Sequence, residues 1–105
     1  MSRSARKRTK KTKTTVYDIS KLLRTLEDMA AYLDAWLAEA PDDVPGIARA
    51  LGDIARAKGM SQVAWKTGLS RESLHKALSG KGNLSLATVL KVARAIGVKL
   101  HAAVA

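Results

Sequence analysis

The 105-residue chain has no cysteine and no phenylalanine, only two prolines, and just 4% aromatic residues. Without thiols there is no disulfide framework, no thiolate zinc or iron–sulfur site and no cysteine nucleophile, a usage compatible with a reducing cytoplasm. His75 and His101 are the only histidines and lie 26 residues apart, which leaves little from which to build a metal site. No metal and no other cofactor is expected. Scarce aromatics leave the core to Leu, Ile, Val and Ala. Long hydrophobic runs are missing as well: the longest, Met29 to Leu33, has five residues, against the roughly 20 needed to span a bilayer. No apolar stretch follows the basic N-terminus as a signal peptide requires. These absences predict an unprocessed, cytoplasmic protein with no membrane partner, and the length suits one domain rather than two.

Acid is scarce at both ends. Residues 1–13 carry seven bases and no acid, residues 14–53 carry three bases against eight acids, and residues 54–105 carry nine bases against the lone Glu72. The net charge of +10 is therefore divided into blocks of +7, −5 and +8. Such segregation points to two surfaces with different partners, one polyanionic and one basic; the plainer alternative is a set of solvated faces.

Residues 1–16 offer almost nothing to bury and are expected to be disordered when free. From Ile19 the apolar residues follow helical spacing through Leu22, Leu26, Met29, Leu33 and Trp36. Thr25 with Asp28 three residues on forms a capping-box pattern, which predicts a break there and a second helix from Leu26. The cluster from Ala40 to Pro45 ends that helix and starts another, whose buried stripe is Ile47, Leu51, Ile54 and Ala55. Ser61 is expected to cap a short helix ending at Gly68, and Ser70 to cap another running to Ser79. Ser85 opens the last helix, with Leu86, Val89, Leu90, Ala93 and Ile96 on one face, and Gly97 closes it. Beyond it Val98, Leu100, Ala102 and Val104 alternate with Lys99, His101 and Ala103. That pattern fits a short strand, an extended tail or a frayed end; a strand would need a partner, as across a dimer. The fold class is thus all-α. Its expected divisions are a basic arm (1–16), an acidic helical segment (17–43), a helical domain (44–97) and an extension (98–105).

Two short helices joined at a glycine and flanked by longer amphipathic helices are what a helix-turn-helix requires. Ala64 is small where the helices approach, Gly68 can adopt positive φ, and Val63, Leu69, Leu74 and Leu78 point inward. Residues 44–97 resemble the lambda-repressor-like (Xre-type) helix-turn-helix domains. More narrowly, AYLDAWLAEA and the stretch from Ile47 to Leu100 resemble the addiction-module antidote proteins, antitoxins of type II toxin–antitoxin systems, with GLSRESLHKALSGKGN the most specific part. The resemblance implies a DNA-binding homodimer that represses its own operon and neutralises a small RelE/ParE-like toxin. Two positions depart from the family pattern. Met60 stands where many members have a phosphate-contacting glutamine, with Gln62 two residues later, and Leu84 follows Asn83 where proline is common.

On the second short helix Arg71, Glu72, His75 and Lys76 lie opposite Leu74 and Leu78, on the side that can face base edges in a major groove. A guanidinium can hold guanine bidentately, so Arg71 leads for direct readout, with phosphate contact as the alternative. Glu72 can accept from cytosine, or serve only the helix dipole and Lys76. Ser61, Gln62, Ser70, Ser73, Ser79, Lys81 and Asn83 sit at helix starts or in the following loop, where hydroxyls, amides and backbone N–H groups meet phosphate. The toxin is assigned to the acidic segment, through Glu27, Asp28, Tyr32, Asp34 and Trp36, unless its apolar stripe is consumed by the chain's own core. Trp36 and Trp65 read as core or partner-facing. The chain is not expected to be an enzyme, because its acids crowd away from both histidines. A stand-alone repressor without a toxin and an RNA-binding protein are the competing readings.

Overall fold

A computed structural model describes residues 18–105; the expectations for the arm at 1–16 lie outside the described residues. A short 3-10 turn, Ile19–Leu22, precedes five helices: α1 (Leu26–Glu39), α2 (Val44–Lys58), α3 (Met60–Thr67), α4 (Arg71–Ala77) and α5 (Leu86–Ile96). No strand occurs among the described residues. Residues 98–105 form neither helix nor ladder.

Most boundaries follow from local chemistry. At Thr25 the side chain accepts from the Asp28 N–H at 3.0 Å, while the Asp28 carboxylate accepts from the Arg24 and Thr25 N–H groups at 3.1 and 3.2 Å. The capping box is complete, and α1 starts at Leu26. Asp43 caps α2 by accepting from the Gly46 N–H, with proline in the first turn. Ser85 caps α5, which ends at a left-handed Gly97. Two expectations are corrected. Ser61 does not cap α3: that helix begins one residue earlier, at Met60, with Gly59 at the N-cap and no side-chain cap bond. Helix α4 ends at Ala77 rather than Ser79, with Leu78 as its C-cap.

Helix α2 is the hub, packing against α1, α3, α5 and the 3-10 turn. Leu51, Ile54, Val63, Leu74, Val92 and Ile96 are fully buried at the centre, and no charged or polar side chain is buried among the described residues. Helix α1 lays Met29 and Leu33 across this core. It comes so close at Gly46 that a Cβ there would collide with the Asp43 carboxylate and, at 2.5 Å, with the Trp36 ring. The face expected on α5 is corrected in part: Ala93 and Ile96 are buried and Val89 half-buried against the core, but Val92 and Ala95 are buried with them, whereas Leu86 is 70% exposed and Leu90 47%.

One polar link ties α1 to α2. The Tyr32 hydroxyl donates to Asp53 Oδ2 at 2.7 Å, and the other oxygen of Asp53 takes the Arg56 guanidinium. Burial first, and the hydrogen bond to a carboxylate second, push the Tyr32 phenol up to about 12. The folded chain holds this proton more tightly than the unfolded one. Its contribution is complete below the ordinary phenol value of 10.0 and is lost as pH rises through about 12. Tyr32→Phe is expected to cost about 1 kcal/mol at neutral pH and to remove the late phase of an ultraviolet phenolate titration. A late phase that persists in the variant would place that phenol elsewhere.

Candidate functional site

Helices α3 and α4 are joined by a turn that their sequence dictates. The Thr67 hydroxyl donates to the Ala64 carbonyl at 2.9 Å and accepts from the Leu69 N–H at 3.3 Å. Gly68 takes a left-handed conformation with φ 79°, which a side chain would oppose, and its N–H reaches the Ala64 and Trp65 carbonyls. Ser70 then caps α4 by accepting from the Ser73 N–H at 3.0 Å. Val63 and Ala64 from α3, Leu74 from α4 and the C-cap Leu78 pack beneath the turn.

The opposite side of α4 is where the expected residues meet. Arg71, Glu72, His75 and Lys76 are all exposed and, with Met60 from α3, line one shallow depression of about 410 Å³. Glu72 and Lys76 stand one turn apart but form no ion pair; the single ion pair among the described residues is Arg56–Asp53. A neighbouring hollow of about 280 Å³ runs from His75 and Ser79 to Arg49 and Arg56 on α2. Sequence reasoning passes over these two arginines because Arg49 lies inside the acid-rich block and neither belongs to the short helices. Their seven-residue separation, two helical turns, is the signal that both share a face.

The residues expected at phosphates lie at the starts of α3 and α4 and in the stretch between α4 and α5. Ser61 and Gln62 are exposed in the first turn of α3, whose lack of a side-chain cap leaves its leading amides open to another acceptor. The Ser70 and Ser73 hydroxyls are bonded to each other at 2.9 Å. The Ser79 hydroxyl donates to the Lys76 carbonyl at 2.8 Å and accepts from the Lys81 N–H at 3.2 Å. Lys81 and Asn83 are exposed in the loop before α5.

On α1 the expected partner residues divide by environment. Glu27 and Asp34 are exposed, and Asp28 is engaged in the cap. Met29 and Leu33 are consumed by the core. Tyr32 and Trp36 sit half-buried at its edge and, with Ala35 and Glu39, line a recess of about 210 Å³. Trp65 does not enter the core at all, being 83% exposed on α3. Among the described residues no three His, Asp or Glu side chains gather as a metal would require, and no helix is long and apolar enough to cross a membrane.

The pattern of one protein family, described as "Probable addiction module antidote protein", matches residues 13–104. The chain belongs to that family. The chain is also 47% identical over 85 residues to an uncharacterized protein of Haemophilus influenzae (strain ATCC 51907 / DSM 11121 / KW20 / Rd). That match covers 81% of the chain and 86% of its relative. No solved structure matches the chain. Membership implies a toxin as protein partner and points to a regulatory rather than catalytic protein. The matched span takes in the whole of α1, the exposed side of α4 and most of the segment after α5.

Proposed function

We propose that this protein is a DNA-binding antitoxin of a type II module. In this reading its α2–α5 region is a lambda-repressor-like (Xre-type) helix-turn-helix domain, which represses the chain's own operon, and its acidic α1 meets a small RelE/ParE-like toxin. The observation that carries the DNA reading is the gathering of Arg71, Glu72, His75 and Lys76 in one depression on the exposed side of α4. Three of these side chains donate or accept in patterns that suit base edges, and the fourth, Lys76, adds charge. The open amides of α3 and the exposed Gln62 suit a phosphate. Arg49 and Arg56 extend the positive surface along α2. Binding as a dimer would set two α4 helices about 34 Å apart on a near-palindrome.

The direct test measures binding of the full chain to the DNA upstream of its own gene, to a scrambled duplex and to a structured RNA, each across a range of salt. Preference for the upstream duplex supports the reading, while equal or tighter binding to RNA overturns it. The basic arm is expected to add charge without sequence preference. Deleting residues 1–13 should flatten the dependence of log K on log salt by about 0.9 for each phosphate that the arm neutralises. An unchanged slope would remove the arm from DNA binding.

For the toxin, the exposed acids of α1 supply complementary charge to a basic partner, and the half-buried Tyr32 and Trp36 supply apolar contact. The charge-reversed variant Glu27→Lys with Glu39→Lys leaves Asp28 and Asp34 in place, so α1 keeps its cap. Co-expressed with the toxin encoded beside it, this variant is expected to lose neutralisation while still binding the operator. Full neutralisation would move the toxin off α1.

A further inference from the structure

A hollow of about 850 Å³ lies away from α4, between the exposed side of α1 and residues 98–105. Its α1 wall is built of Ala30, Ala31 and Ala38 with Leu37 and the exposed Asp34; the facing wall carries Lys99 and His101. Over the first four residues of that wall burial alternates, Val98 and Leu100 turning toward the core and Lys99 and His101 toward solvent, the period of a strand, while residues 102–105 are all exposed. The Val98 N–H donates to the Ala93 carbonyl at 2.9 Å, and beyond it no backbone hydrogen bond is formed by 99–105 among the described residues. A segment with strand periodicity, anchored at one end and lacking a ladder, thus borders a groove whose methyl-lined wall admits a close backbone.

We propose that residues 98–104 of two copies of this chain pair antiparallel, each segment filling the groove between α1 and 98–105 of the other copy. The order across the interface is α1, second-copy segment, own segment, second-copy α1. Each groove is filled by the same two-fold operation, so the arrangement closes as a dimer. A two-stranded ribbon alone is marginal, but here each edge of the pair lies against a helix. Charge selects this occupant. Asp34 and Lys99 line the same groove without pairing within the chain, and an incoming second-copy segment carries Lys99 and no acid, a charge that suits Asp34. The other exposed apolar stripe, Leu86 and Leu90 on α5, shares its helix with Lys91 and Arg94, and self-pairing there would stack like charges. The proposal supplies the dimer assumed for operator binding but is tested without DNA, so its failure and that of the DNA reading are distinguishable.

The full chain in sedimentation equilibrium is expected to give twice its 11.3 kDa mass at tens of micromolar. Neighbouring residues of a strand present their N–H groups to opposite edges. Of Leu100→Pro and His101→Pro, at least one should therefore raise the dimer dissociation constant tenfold or more, with helical circular dichroism unchanged. The absence of native cysteine makes single-cysteine cross-linking unambiguous. Cysteines placed singly at Lys99, His101 and Ala103 should form disulfide dimers most readily at one position, the one nearest the two-fold axis. A chain that stays monomeric, a dimer that neither proline disturbs, or one dissociated only by Leu90→Asp would overturn the proposal. So would capture of the segment solely by the toxin.

Discussion

Leu74→Ala is expected to lower stability by about 2–5 kcal/mol, the range for a large buried aliphatic truncated to alanine. Leu74 is the only buried residue of α4, a helix of seven residues, and it is completely inaccessible. A helix that short has no stability of its own in water and persists only through packing. Removing its single anchor therefore opens a cavity and releases the helix that carries Arg71, Glu72, His75 and Lys76. Against a total of about 5–15 kcal/mol for an ordinary domain, the loss is a large share. Urea unfolding followed by circular dichroism should show a lower midpoint at an unchanged slope, with DNA binding weakened on every sequence alike. A loss below about 1 kcal/mol would mean that α4 is held by something other than Leu74.

Arg71→Ala should behave in the opposite manner. The side chain is exposed at the first position of α4, so neither the melting temperature nor helix content is expected to change. On the operator the variant should lose about 1–3 kcal/mol, up to roughly a hundredfold in affinity, and on random duplex much less. The contrast separates reading from holding. A guanidinium bidentate to guanine contributes only where the guanine is present, whereas one on a phosphate contributes everywhere. Equal losses on both duplexes would make Arg71 a backbone contact and leave base discrimination to Glu72 and His75.

The parts of this molecule that are legible in its sequence are those governed by near neighbours. The Thr25–Asp28 box, the Ser70 and Ser85 caps and the Gly68 turn depend on residues within four positions, and each appears where its local chemistry requires. Ser61 fails as a cap for an equally local reason: the chain enters α3 through Gly59 at φ 118°, and the helix has already begun when Ser61 is reached. Helix α5 misleads because it carries two adjacent apolar stripes of the same period. Periodicity alone cannot say that Val92 and Ala95, rather than Leu86 and Leu90, join Ala93 and Ile96 on the side that α3 and α2 cover. The candidate site is visible on α4 because its four residues lie within six positions, whereas Arg49 and Arg56 join it only through the packing of α2 against its neighbours. The Tyr32–Asp53 hydrogen bond, between residues 21 apart, has no local signal.

Helix α1 is held to the rest of the protein chiefly by Met29, Leu33, the Trp36 edge and one phenol-to-carboxylate hydrogen bond, and it supplies none of the most deeply buried large side chains, Leu51, Ile54, Val63, Leu74, Val92 and Ile96. Its fourteen residues are close to the shortest length at which an isolated helix persists in water. The outer layer is therefore expected to open before the centre does, with amide protons on α1 exchanging with solvent ahead of those on α2 and α3. A protease meeting that open form would find α1 as an unfolded strip of chain.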